Sequence, residues 1–102
     1  MNRLILQHRC AIAVLCKWFR VQQMDLFGSA TSDAFDPDHS DVDFLVKFAD
    51  PMPIRRSQAY FQLKAELEAL VGRKVDLVEP GRIRNDFYRL GIEATREPLD
   101  AA

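Results

Sequence analysis

The chain has almost no net charge to offer a partner. Fourteen lysines and arginines stand against fifteen aspartates and glutamates in 102 residues, a formal charge of −1. The molecule as a whole therefore lacks the electropositive footprint that draws proteins to nucleic acid or anionic membranes. A long apolar run is missing too. Lys17 and Arg20 interrupt the most hydrophobic stretch, far short of the roughly 20 residues a membrane span requires. Cysteine is scarce: Cys10 and Cys16 lie six apart with no CxxC, which predicts buried, reduced thiols in a cytoplasmic protein. The length leaves little room for a second domain and predicts one domain over residues 1–102. No repeats or low-complexity tracts interrupt it.

Two ligand-binding motifs are absent as well. Gly28-Ser29 is not followed by the Gly-Lys-Ser/Thr of a P-loop. Asp36-x-Asp38-x-Ser40 opens like a calcium loop, but Asp41 replaces its glycine and Lys47 its closing glutamate. His8 and His39 have no metal-ligand spacing and read as surface histidines.

What is present is an alternation of helical and strand patterns. Ala11, Val14, Leu15, Trp18 and Phe19 fall at helical spacing and predict an amphipathic helix over residues 2–20, with Trp18 and Phe19 in the core. Met24-Asp25-Leu26-Phe27 reads as a short strand stopped by Gly28-Ser29. A polar loop follows, and from Asp41 the period becomes two. Val42, Phe44, Val46 and Phe48 share one face of a strand, and Asp41, Asp43, Leu45 and Lys47 share the other. Ser57 is placed to cap a second helix with the stripe Tyr60, Leu63, Leu67, Leu70 and Val71, stopped by Gly72. Residues 74–78 give a third strand, and a last helix is expected from Arg82 to Arg96, with Ile83, Phe87, Leu90 and Ala94 inward and Pro98 beyond it. The order predicts an α/β (α+β) fold, a short mixed sheet covered by helices.

The acids are not spread evenly. Asp33, Asp36, Asp38, Asp41 and Asp43 crowd one segment, and the first three read as solvated loop residues. Asp41 and Asp43 differ because strand alternation points both to one face, roughly 7 Å apart along the backbone. Two carboxylates so placed repel, and a divalent cation between them is the least costly way to keep both ionised. Asp76 is a lone acid in the apolar strand Val75–Val78; beside the Asp41–Asp43 strand it completes a triad. Oxygen donors of this kind select magnesium, which keeps company with substrate phosphates. Gly28-Ser29, with a permissive backbone and a hydroxyl, suits the phosphates themselves.

These stretches resemble the minimal nucleotidyltransferases of the polymerase β superfamily, found as antitoxins beside HEPN-domain toxins. The resemblance rests on Leu26-Phe27-Gly28-Ser29, on Pro37 through Val46 with Asp41-Val42-Asp43 at its centre, and on Val75-Asp76-Leu77-Val78, in that order. It implies a polymerase β-like fold and transfer of AMP from ATP to a partner protein, with a tyrosine of a HEPN ribonuclease toxin as acceptor. It further implies two Mg2+ ions on the catalytic residues Asp41, Asp43 and Asp76, and nucleotide at Gly28 and Ser29. It also allows a hetero-oligomer with the toxin. Two departures stand out: one extra residue lies between Ser29 and Asp41, and Ala30-Thr31-Ser32-Asp33 stands where many members have an arginine. These motivate an alternative in which the chain inhibits its toxin by binding alone. A third reading, nucleotidyl transfer to a small antibiotic, is disfavoured by the missing acceptor domain.

Overall fold

A computed structural model describes residues 3–31, 41–49 and 55–101. The expected first helix is two: α1 (Arg3–Gln7) and α2 (Arg9–Trp18), parted at His8. Two apolar stripes at helical spacing compete in this segment, and the sheet receives Ile5, Ile12, Cys16 and Phe19. The stripe chosen from the sequence is the outer one in part: Val14 is exposed and Trp18 is 80% exposed. Trp18 is therefore not a core residue, and Cys10, expected to be buried, is also exposed. Arg20, at φ +58°, turns the chain out of α2, and its carbonyl accepts a hydrogen bond from the Ala49 amide at 2.8 Å.

Four strands follow: β1 (Val21–Phe27), β2 (Val42–Phe48), β3 (Val75–Val78) and β4 (Glu97–Ala101), in the order β3-β2-β1-β4. β1 runs antiparallel to β2 and β4, whereas β2 and β3 are parallel. Parallel neighbours need a crossover, and α3 (Arg56–Val71) supplies it. α3 buries Ala59, Leu63, Leu67 and Val71, with Tyr60 and Leu70 at the edge of that stripe. Its N-cap is Arg55 rather than Ser57, which lies inside the first turn. Its stop is Gly72 in the left-handed region at φ +71°, the conformation glycine adopts without a Cβ penalty.

The two sheet faces carry unequal cores. Val42, Phe44, Val46 and Phe48 pack with Met24, Leu26, Val75 and Leu77 beneath α1, α2 and α3. On the opposite face a smaller cluster of Phe27, Leu45, Ile83 and Ile92 lies beneath α4 (Asp86–Thr95).

The last third departs most from expectation. Residues 80–82 form a 3-10 turn, and α4 starts only at Asp86, where the Asn85 side chain accepts from the Tyr88 amide at 3.2 Å. Phe87 is 86% exposed and Leu90 is also exposed; Ile92 is the buried anchor instead. After Thr95 the chain enters β4, where Pro98 pairs opposite Asp25 beside a register shift. An edge strand tolerates a residue that cannot donate to the ladder, so proline ends the helix without ending the sheet. Asp33, Asp36, Asp38 and His39 lie outside the described residues. Among the described residues no helix is long and apolar enough to cross a membrane.

Candidate active site

The register of three strands brings the acids together. Phe27 of β1 pairs with Asp43 of β2, and Asp43 pairs with Asp76 of β3. Because β2 buries Val42, Phe44 and Val46 against the larger core, alternation turns Asp43 to the other face, and Asp76 follows for the same reason. Asp41 sits one residue before β2, where the Val42 amide donates to the Lys74 carbonyl at 3.1 Å and fixes the start of the β2–β3 pair.

Asp43 is the most perturbed acid of the row. Burial raises its pKa, and the negative charges of Asp76 and then Asp41 raise it further, to about 6. A group in that condition gains from a nearby cation, which offsets both the lost hydration and the repulsion. Among the described residues no three histidine, cysteine, aspartate or glutamate side chains stand in metal-holding geometry as a set. The fit to magnesium is one of chemistry and placement: three hard oxygen donors on one face, mutually repulsive, two of them exposed.

Gly28 opens a 3-10 turn, Gly28–Thr31, with φ +74°. A Cβ added there would stand 2.5 Å from Asp43 Oδ2, so glycine is required both for backbone conformation and for room beside the carboxylate. The turn is held on both sides. The Thr31 hydroxyl donates to the Gly28 carbonyl at 2.7 Å, and the Gly28 amide donates to Thr95 Oγ1 at 3.0 Å. The Gly28 amide is thus engaged, and what Gly28 provides is space. Ser29, half-buried, sits next in the same turn.

Three features here escape a reading by motif. Tyr88 of α4 meets Phe27 edge-on, ring centres 6.3 Å apart; burial raises the pKa of its phenol, as do the charges of Asp76 and Asp43. It thus stands over the acidic row. Thr95, whose hydroxyl also donates to the Gly91 carbonyl at 3.1 Å, ties α4 to the Gly-Ser turn. Asp25, 1% exposed, is two residues from Phe27 on the same face. Arg96 donates to it through Nε at 2.8 Å and pairs through a second guanidinium nitrogen, while Gln23 donates from 3.3 Å. Burial alone would lower the Arg96 pKa; its hydrogen bonds to Asp25 and Glu93 outweigh that and leave it raised. Asp25 was legible by the argument applied to Asp76, a lone acid within an apolar strand. Tyr88 and Thr95 carry no such signal, because α4 shows its apolar residues to solvent.

Known proteins share this fold. The family model of the nucleotidyltransferase domain matches residues 10–97. Two Methanocaldococcus jannaschii proteins that bear the name "putative protein adenylyltransferase" are 32% and 28% identical over 80 residues, 78% of this chain and 78% of each relative. A solved structure described as a "putative minimal nucleotidyltransferase" superposes with a TM-score of 0.77 at 27% identity, covering 97% of both chains. The structure of a tri-AMPylated Shewanella oneidensis HEPN toxin in complex with its MNT antitoxin matches with a TM-score of 0.66 at 20% identity, over 95% of this chain and 72% of that one. At that identity the likeness is one of fold. With the family model spanning most of the chain and a relative above 30% identity, this protein belongs to the nucleotidyltransferase domain family, in its minimal form.

Proposed function

We propose that the chain transfers AMP from ATP to a partner protein in the cytoplasm, with a tyrosine of a HEPN-type toxin as acceptor, and thereby silences that toxin. The observation that carries this reading is the row Phe27–Asp43–Asp76 set against Gly28. A Cβ-free turn beside paired carboxylates leaves room where a triphosphate and its metals would fit. The relatives named as protein adenylyltransferases support the choice of a protein acceptor. A solved toxin–antitoxin structure with AMP-PNP, 23% identical with a TM-score of 0.70, has the same fold.

In this reading Asp41, Asp43 and Asp76 would hold magnesium, which when bound would neutralise phosphate charge and favour the ionised acceptor hydroxyl. Ser29 and the turn it belongs to orient the triphosphate. Asp76, exposed at the edge of the row, faces the acceptor and takes up the phenolic proton. The acceptor oxygen bonds to the α-phosphorus in line with the departing pyrophosphate. Tyr88, edge-on to Phe27, flanks one side of the row.

The test is transfer of label from α-labelled ATP, with magnesium, to the protein encoded beside this chain. Label on a tyrosine of that neighbour, lost in Asp41→Asn and Asp43→Asn, is the expected outcome. Neutralisation of the neighbour that survives both substitutions without label would instead establish inhibition by binding, the reading motivated by Ala30-Thr31-Ser32-Asp33 standing where the family resemblance leads one to expect an arginine.

A further inference from the structure

The acidic row does not end in open solvent. Val78 lies two residues beyond Asp76 on the same face of β3, roughly 7 Å further along the strand. Beside it opens a groove of about 420 Å³ between the start of α3 and the 3-10 turn at residues 80–82. Its apolar wall is aromatic. Phe61 is 66% exposed and meets Tyr60 edge-on at 5.1 Å, and the Tyr60 hydroxyl donates to the Leu77 carbonyl at 2.5 Å. Tyr60 thus turns a ring, not a hydroxyl, toward the groove. Leu77 is the chain neighbour of Asp76, so this bond sets the groove directly beside the row.

The rim of the groove is basic. Arg56 and Arg82 line it and pass it on to a second depression of about 610 Å³ that reaches Lys47 and Arg84. Among the described lining residues Glu79 is the one acid, 3.2 Å from Arg82 Nε and 3.9 Å from Arg56 Nε. It aims the two guanidinium groups and cancels one charge of four. A protein of net charge −1 therefore presents a strip of positive charge that begins where its acidic row stops.

We propose that this groove docks the acceptor, and that its occupant is an acidic peptide segment carrying the tyrosine to be modified. The proposal rests on the transferase reading, which it extends by naming what flanks the acceptor. Charge complementarity sets the sign of the flanking residues, because guanidinium groups pair with carboxylates bidentately. The ring of Phe61 adds an apolar hold at the tyrosine end. A nucleic acid fits less well: its charge continues along the strand, and a polyanion laid through the groove would run into Asp76 and its neighbours. A peptide can place its acids at the arginines and an uncharged phenol at the aspartates.

The experiment measures binding of a fluorescently labelled random copolymer of glutamate and tyrosine to the whole chain by anisotropy. The expected result is saturable binding that weakens about tenfold in Arg56→Gln/Arg82→Gln and severalfold in Phe61→Ala. Affinity for magnesium–AMP-PNP should stay within about twofold of the parent, a readout that misfolding could not spare. Arg56→Lys/Arg82→Lys should recover part of the loss. Equal binding of a lysine–tyrosine copolymer, or indifference to both arginine substitutions, would overturn the proposal. Tighter binding of a short single-stranded RNA, dependent on Phe61, would assign the groove to nucleic acid and overturn it too. Copolymer that binds as expected while the neighbouring protein takes no label from ATP would uphold the groove as a peptide site and remove the transferase reading beneath it.

Discussion

At the scale of single residues, Gly28 and Asp43 act as one unit. Any side chain at position 28 must both adopt φ +74° and push Asp43 Oδ2 aside. The first requirement costs an alanine about 1–2 kcal/mol, and the second displaces a carboxylate assigned here to metal. Gly28→Ala is therefore expected to lower the melting temperature by roughly 5–10 °C and to abolish nucleotide-dependent stabilisation, read by thermal shift with and without magnesium–ATP. Asp43→Asn should do the opposite to the unliganded protein. The folded pKa of Asp43, about 6, lies above its ordinary 3.8, so the folded state binds the proton more tightly than the unfolded chain does. Its contribution to stability is full below pH 4 and is lost as pH rises through 6. The asparagine variant should thus be more stable than the parent at pH 7.5, by about 1 kcal/mol after allowance for solvent screening. At pH 4 the two should be equal; denaturant titrations at both values check the sign.

Elements show how far the sequence could be read. β2 was legible residue by residue, because its alternation separates four apolar side chains from Asp41 and Asp43, and the structure buries the four together. Gly72 was legible as a stop because the left-handed conformation that ends a helix favours glycine over residues with a Cβ. α4 was not, since helical periodicity cannot say which of two stripes faces a sheet: Phe87 and Leu90 point out, and Ile92 points in. β4 was hidden by Pro98, a residue that marks a boundary in most contexts and is tolerated here at a sheet edge. Of the candidate site, the three acids and the Gly-Ser turn were named from strand alternation together with the family resemblance, whereas Tyr88, Thr95 and Arg96 arrive through tertiary packing of the misread segment.

That segment carries a testable energetic claim. Arg96 supplies the cation for buried Asp25, and removing it leaves a buried carboxylate with only the neutral Gln23 amide as a donor at 3.3 Å. Arg96→Ala is expected to cost about 3 kcal/mol, a large share of what a chain this size has. Replacing both partners, Asp25→Val with Arg96→Leu, should restore most of it, since the charge and its desolvation go together. Urea unfolding of the single and double variants would settle this; a double variant as unstable as the single would sink the ion-pair account.

Across the whole molecule, 38 × 31 × 21 Å in extent with a radius of gyration of 13.0 Å, the two sheet faces divide the work. One holds nearly all the buried apolar mass. The other holds a four-residue cluster and the acids, so ligand binding there should change global stability appreciably. Magnesium alone is expected to raise the melting temperature by a few degrees at pH 7.5. The rise should shrink at pH 5, where Asp43, with its pKa about 6, carries a proton that the metal must displace. A magnesium shift of equal size at both pH values would argue against Asp43 as a ligand.

The bond from the Gly28 amide to Thr95 joins residues 67 positions apart. A growing polypeptide therefore exposes its glycine bend long before the hydroxyl that props it and the guanidinium that answers Asp25 have been synthesised. Fragments interrupted upstream of Thr95 should retain the signature motifs yet be unable to grip nucleotide, so translation that stalls early yields inert product rather than a half-working enzyme.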